Sequence, residues 1–320
     1  MYELCTDIGY VTLTKTGEQL CGDHVELVQQ ADGSVVLVLA DGLGSGVKAN
    51  ILSTLTGKII STMIANGLTL EDCVSTIAAT LPVCAERKVA YSTFTILRIV
   101  DCAEAELIQY DNPHTILLRR GKHVDYPEIC ENIDGKNIYK SRMRLWEGDV
   151  LVAMSDGALN ASQGNTLNMG WDRAAIIDFL ETMYNDSFTA KTWAAMLVEE
   201  CERLYGGQPG DDTSACVIRL RRRQVVNLLF GPPEKREDTN KVLSLFFAKE
   251  GKRIVCGGTT SELAAAYLGK PLDTSMPLYL DPKIPPTSKL QGVDLVTEGV
   301  ITMAKVLEYA EDYVKENRLY

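Results

Sequence analysis

Histidine is scarce in this chain, with three in 320 residues, and no two of the nine cysteines stand three positions apart. An odd, scattered set of cysteines gives neither a zinc-ligand spacing nor a disulfide framework, and free thiols suit a reducing compartment. Basic residues are also short: 32 Lys and Arg stand against 43 Asp and Glu, for a net charge of -11. A nucleic-acid binder needs a broad cationic surface to neutralise phosphates, so that class is excluded. The one basic run, Arg219 with Arg221, Arg222 and Arg223, reads as a solvated strand end at a domain boundary. No apolar run approaches the roughly 18 residues of a membrane span, and the opening MYELCTDIGY lacks the charged and apolar regions of a signal peptide. The expectation is a cytoplasmic protein with no membrane or nucleic-acid partner.

Apolar residues, in contrast, are plentiful at 46%, enough for a globular chain longer than one typical domain. The most informative stretch is Val35 to Gly46, VVLVLADGLGSG. A strand apolar on both faces runs into Asp41, and glycines follow at every second position. A helix is predicted next, because Val47, Ile51, Leu52, Leu55, Ile59, Met63 and Ile64 recur at spacings of three and four. A second helix begins at Thr69, with Asp72 completing a variant capping box, Leu70, Cys73, Val74, Ile77 and Leu81 as its apolar positions, and Pro82 as its stop.

Other strands are expected at 8–14, 25–30, 91–100, 105–110, 114–119 and 138–146. VLVAMSDGAL, residues 150–159, repeats the opening pattern of an apolar strand that stops at Asp-Gly. Helices at 172–184 and 190–205 and a strand at 214–220 close this region. Beyond about residue 223 strands and helices alternate: strands at 225–230, RIVC and VDLV, helices at 238–250, after Gly257-Gly258 and at 298–317, and a proline-rich loop over 277–289. That alternation predicts a small parallel α/β domain, giving domains of 1–223 and 224–320.

Four places in the first domain put aspartate at a strand end or tight turn: Asp23 (CGDH), Asp41 (ADGLGSG), Asp156 (SDG) and Asp211-Asp212 (GDDTS). Singly, each reads as a turn or cap, for which Asp-Gly is a common pair. Together they would be costly to bury and would repel one another. Hard divalent cations such as Mg²⁺ or Mn²⁺, which prefer oxygen ligands, answer both problems. The strand would deliver Asp41 rigidly, and the glycines would clear room for metal, water and substrate. A GxGxG phosphate cradle is a second reading of the loop, but Asp41 at its mouth and the lack of lysine oppose direct phosphate binding.

In order and rough spacing these motifs resemble the metal-dependent protein phosphatases of type 2C, most closely the bacterial stage II sporulation protein E (SpoIIE) branch. Ser92-Thr93-Phe94 in a middle strand and Asp111-Asn112-Pro113-His114, in place of an NAGHP-like turn, are lesser matches, and the resemblance covers about residues 7–220. It implies an α+β fold, a β-sandwich flanked by helices with a two-metal site at one edge, followed here by the small α/β domain. It also implies that Asp41 bridges two Mn²⁺ or Mg²⁺ ions and the Gly42 carbonyl binds one of them. Asp23, Asp156 and Asp211 would complete the cluster, with Asp212 a further ligand or a group just outside it. The reaction implied is hydrolysis of a phosphoserine or phosphothreonine ester of a protein substrate by metal-activated water. Alternatives are a non-catalytic phosphoprotein-binding scaffold and a two-metal hydrolase of small phosphate esters.

The sequence departs from many eukaryotic members. Leu43 stands where they have a histidine, and the N-terminal strand shows no phosphate-gripping arginine. His24 reads as a residue beside the site, His114 and His123 carry no assigned chemistry, and Cys21 reads as a packed thiol. In the second domain Cys256 to Ser261, CGGTTS, is either a capped helix behind a glycine turn or an anion site. Asp294 and Glu298 are expected near the same sheet edge. A ligand- or partner-sensing role, with a small anionic ligand, is the expectation there.

Overall fold

The computed structural model describes residues 4–30, 32–80, 92–133, 135–161, 171–278 and 286–316. It divides into two compact units, Met1–Arg222 and Arg223–Tyr320.

The first unit is a sandwich of two antiparallel sheets. One takes the order Leu4–Leu13 (β1), Thr213–Arg222 (β11), Val150–Met154 (β10), Ile116–Arg119 (β6) and Lys122–His123 (β7). The other runs Asp23–Gln29 (β2), Val35–Gly42 (β3), Ser92–Val100 (β4), Glu104–Tyr110 (β5), Lys136–Arg144 (β9) and Ile129–Ile133 (β8). Leu37, Leu97 and Leu107 of the six-stranded sheet meet Leu151, Cys216 and Ile218 of the five-stranded sheet between them. Alternate residues of β3, such as Val36 and Val38, face outward against helices Gly46–Ala65 (α1) and Leu70–Thr80 (α2). Helices Asp156–Asn160 (α3), Arg173–Thr182 (α4) and Ala190–Leu204 (α5) cover the outer face of the other sheet around buried Trp193. Both faces of β3 are therefore dry, which is why it reads as a continuous apolar run rather than an alternating one.

The expected elements are present, with ends shifted by a few residues. Strands β7 and β8 and the short α3 went unpredicted, because none has a long apolar pattern. The Thr69–Asp72 capping box forms: the Asp72 N–H donates to Thr69 Oγ1 at 3.1 Å and the Thr69 N–H to Asp72 Oδ2 at 3.2 Å. Leu81, Pro82 and residue 91 lie outside the described residues.

Helix α1 keeps its predicted place, and its C-terminal half keeps its predicted face, with Ile64 buried and Ile59 and Met63 packed on the core, but its N-terminal half turns the predicted face to water. Val47, Ile51 and Leu55 are 60%, 59% and 50% exposed, while Ala49, Ser53, Thr56, Gly57, Ile60, Ser61 and Ile64 are buried. Close approach explains the reversal. A Cβ on Gly42 would stand 2.0 Å from the Ala49 carbonyl oxygen, and one on Gly57 would stand 2.9 Å from His24 Cδ2. A backbone seated this near the sheet accepts only small side chains along most of its buried face.

The second unit is a five-stranded mixed sheet in the order Val226–Phe230 (β12), Lys252–Cys256 (β13), Leu295–Thr297 (β16), Thr287–Lys289 (β15) and Asp273–Leu278 (β14). The first three are mutually parallel, and β14 and β15 add on antiparallel. The stretch 277–289, expected as loop, thus contributes to two strands, and 279–285 lie outside the described residues. Helices Thr239–Phe247 (α6) and Gly258–Leu268 (α7) pack Leu243, Phe246, Ala264 and Ala265 on Val255 and Val296. Val300–Glu316 (α8) follows β16. Asp294 departs from expectation: it precedes β16 and its Oδ2 accepts the Arg253 N–H at 2.7 Å, at the sheet edge opposite Glu298.

Candidate active site

The acidic residues of the first unit gather where strands of both sheets end. Register places Asp23, at the start of β2, directly across from Asp41 near the end of β3, and the Gly42 N–H donates to the Gly22 carbonyl at 3.2 Å. From the other sheet, β10 ends at Met154 and hands Ser155 and Asp156 to α3. Ser155 stitches the two sheets together. Its N–H donates to Ser214 O at 3.0 Å, its Oγ accepts the Ser214 N–H at 2.8 Å, and its hydroxyl donates to Asp23 Oδ2 at 2.7 Å. Asp211 and Asp212 lead into β11, where the Asp212 N–H donates to Asp211 Oδ1 at 3.0 Å and Asp212 Oδ1 accepts the Lys15 N–H at 3.0 Å.

Glycine does more for packing here than for open space. The Gly42 Cβ position is filled by the Ala49 backbone, and that of Gly157 lies 2.1 Å from the Asp212 carbonyl oxygen. A Cβ on Gly22 would stand 2.7 Å from Asp212 Oδ2. Only Gly44 of the loop, at φ 103°, has nothing near. Most of these glycines thus press strand ends and helices together until the carboxylates crowd one another, which corrects the expectation that they clear room.

The crowding shows in the charges. Asp23 is 4% exposed and its Oδ1 has no hydrogen-bond partner, and neither has the buried Oδ2 of Asp212. A buried carboxylate oxygen left bare is costly. Burial pushes the Asp23 carboxyl up to about 7, Ser214 and Ser155 pull it back, and Asp212 and Asp156 push it further up. Asp41 is held well above the usual carboxylate range by burial and then by Asp23, Asp156 and Asp211, and it shares a hydrogen bond with Asp156. Asp156 is exposed as a residue, yet protein around its carboxyl removes enough water to raise it, against the hydrogen bond from Asp41. Asp211 is raised by burial and by Asp156, while the Asp212 N–H and the Lys15 charge lower it. Among the described residues, no three His, Cys, Asp or Glu side chains close around a single point.

Other singled-out residues take structural places. His24 Nε2 lies 3.1 Å from Glu26 Oε2, His114 Nδ1 lies 2.9 Å from Glu128 Oε1, and His123 is 3.9 Å from Asp125. The Cys21 thiol is raised by burial and by Asp23, which leaves it unreactive. Asn112 ties its turn to β4, accepting from Thr93 Oγ1 at 2.5 Å and donating to Thr95 Oγ1 at 3.1 Å. Sequence reasoning missed four neighbours of the site. They are Ser155, Lys15, Asp111 (φ 56°), whose charge raises Asp156, and Tyr205, whose hydroxyl donates to Gly157 O at 2.8 Å. The serine of SDG was legible as a helix cap. The others come near only through the fold.

Both the sequence and the fold are similar to those of known proteins. A family model described as stage II sporulation protein E (SpoIIE) matches residues 31–221, which include Asp41, Asp156, Asp211 and Asp212 but not Asp23. Stage II sporulation protein E of Bacillus subtilis (strain 168) is 24% identical over 218 residues, covering 66% of this chain and 25% of its own length. The chain thus spans about a quarter of that relative. Among solved structures, the phosphatase domain of Bacillus subtilis SpoIIE, in a crystal form without domain swapping, has 19% identity and a TM-score of 0.56. It covers 70% of this chain and 96% of its own. The PP2C phosphatase domain of the same protein with a fragment of its regulatory domain has 19% identity and a TM-score of 0.59, covering 69% and 65%. The RsbU and RsbW domains of Rv1364c from Mycobacterium tuberculosis have 17% identity and a TM-score of 0.55, covering 76% and 68%. At such identities the structures establish a shared sandwich fold. The family match covers more than half of the chain, which therefore belongs to the stage II sporulation protein E (SpoIIE) family, with its aspartates gathered at one end of a PP2C-type sandwich.

Proposed function

We propose that the first unit is a Mn²⁺- or Mg²⁺-dependent serine/threonine protein phosphatase. One observation carries this reading: carboxylates from both sheets are packed together with the buried oxygens Asp23 Oδ1 and Asp212 Oδ2 unpartnered and with Asp23, Asp41, Asp156 and Asp211 all raised. Such a donor set is hard, anionic and short of positive charge, which fits oxygen-preferring divalent ions that keep several waters. Asp41, Asp23, Asp156 and Asp211 would hold the ions, with the Gly42 carbonyl and Asp212 as further donors. Bound there, two ions supply an activated water and neutralise phosphoryl oxygens. The chain's own residues do the positioning. β3 fixes Asp41, Ser155 holds Asp23 by one oxygen and leaves the other bare, and the Lys15 N–H orients Asp212.

The substrate in this reading is a phosphorylated protein. A second reading, a phosphoprotein-binding scaffold, draws on the observation that no three ligating side chains close around one point among the described residues. Hydrolysis of a phosphoserine peptide in EDTA, then with added Mn²⁺ or Mg²⁺, separates the two. The expected result is cation-dependent release of phosphate, lost in Asp41→Asn. Cation binding without turnover selects the scaffold, and equal turnover in Asp41→Asn rejects the site. No helix among the described residues is long and apolar enough to cross a membrane.

A further inference from the structure

Asp156 is the first residue of α3, a helix of only five residues. So short a helix leaves most of its carbonyls without a helical partner and is not stable alone. The bonds that hold it come from elsewhere in the fold. The Tyr205 hydroxyl donates to Gly157 O at 2.8 Å, and Trp171 Nε1 and the Cys201 thiol donate to Ala158 O at 2.9 and 3.8 Å. Two of these three donors stand on one frame. Cys201 lies on the buried face of α5 with Trp193, Leu197 and Leu204, and Tyr205 is the C-cap residue of the same helix, its N–H donating to Cys201 O at 2.9 Å. A long buried helix thus lends its rigidity to a single turn that begins with a carboxylate.

Tyr205 also meets the second acidic turn. Its ring carbon Cε1 stands 3.4 Å from where a Cβ on Gly210 would be, immediately before Asp211. The Thr213 hydroxyl is a hydrogen-bond neighbour of the phenol, and it donates to Asp211 O at 3.3 Å. Between Tyr205 and Asp211 the chain passes through Gly206 and Gly207, at φ of 68° and 75°. Two such glycines make a permissive connection, so the contacts on either side of it decide where Asp211 stands. On the far side the Thr16 N–H donates to Pro209 O at 2.9 Å, and on the near side stands Tyr205. A phenol also suits an anionic cluster. It donates a hydrogen bond without bringing a positive charge that would compete with a divalent ion for the carboxylates.

We propose that Tyr205 is a positioning residue that sets both Asp156 and Asp211 for divalent cations. It acts through the Gly157 carbonyl on one turn and through Gly210 and Thr213 on the other, and it touches neither ion nor substrate. The inference rests on the cation-dependent reading of the first unit, and it concerns how two ligand-bearing turns from different parts of the chain are held in one geometry.

Three measurements on the full chain test it. Tyr205→Phe keeps the ring and removes the hydroxyl, and Tyr184→Phe, whose hydroxyl bonds Asp186 Oδ1 at 2.5 Å, is the control. In EDTA, hydrogen exchange should quicken over residues 155–161 and 211–213 in Tyr205→Phe alone. Calorimetric titration with Mn²⁺ should show binding weakened about tenfold in that variant, as for one lost hydrogen bond. Turnover of a phosphoserine peptide should need about tenfold more Mn²⁺ for half-activation and return to the wild-type rate at saturation, a split that general loosening does not give. Unchanged exchange or unchanged Mn²⁺ affinity in Tyr205→Phe overturns the proposal, as does an equal change in Tyr184→Phe. Turnover that stays lost at saturating Mn²⁺ overturns it too, by placing the hydroxyl in the chemistry. Mn²⁺ binding without turnover in the wild type rejects the phosphatase reading alone, and exchange and affinity still decide the role of Tyr205. A wild type that binds no Mn²⁺ rejects both.

Discussion

At the scale of single residues, Asp23 carries the clearest energetic signature. Its carboxyl is raised from 3.8 to about 7 in the folded protein, chiefly by burial. The folded state therefore holds the proton more tightly than the unfolded chain. The resulting stabilisation is full below about pH 4 and is lost as pH rises through about 7. Asp41, Asp156 and Asp211 shift in the same direction. In EDTA, the melting temperature of the wild-type protein should fall across that window. Asp23→Asn keeps an acceptor for Ser155 and removes the charge, so it should flatten the slope and raise the value at neutral pH by about 2–4 °C for each kcal/mol relieved. Thermal melts at stepped pH decide this. A flat wild-type profile, or an unchanged slope in the variant, would show that the carboxylates are not under strain.

At the scale of elements, α1 separates period from phase. Its apolar spacing marks a helix, but the large residues of that spacing include three that face water, and the helix sits on the sheet through Ala49, Ser53, Gly57 and Ile60. The consequence is a contrast between two isoleucines of one helix. Ile60→Ala should cost about 2–5 kcal/mol, as for a buried aliphatic side chain. Ile51→Ala, 59% exposed, should change stability by no more than about 0.5 kcal/mol. Urea titration of both variants measures it, and similar losses would mean that α1 buries the face its sequence suggests.

At the scale of the whole molecule, two units with separate cores share one chain. The sandwich cores and the smaller α6–α7 core have no buried cluster in common. Calorimetric unfolding should accordingly show two transitions. Added Mn²⁺ should raise only one of them, the transition that Asp41→Asn makes insensitive to the ion, because a cation bound to one folded unit stabilises that unit. A single cooperative transition, raised as a whole by Mn²⁺, would show that the units unfold together.

Much of this was legible along the chain. Buried strands such as β3 and β10 announce themselves as apolar runs, the capping box at Thr69 is a local chemical pattern, and five aspartates at four strand ends and turns stand out because together they would be costly to bury and would repel one another. Their order also carries the likeness to the phosphatase family. What the sequence could not contain is distance. That Ser155 reaches Asp23, that the Lys15 N–H faces Asp212, and that Gly42 makes room for Ala49 depend on residues far apart in the chain being pressed together. The face of α1 was decided the same way, because how near a helix lies to its sheet sets the side-chain size its buried face can hold. Local chemistry fixes the elements and the residue types of the site, and packing between the sheets decides which oxygens are paired, which are left bare and how strongly they repel.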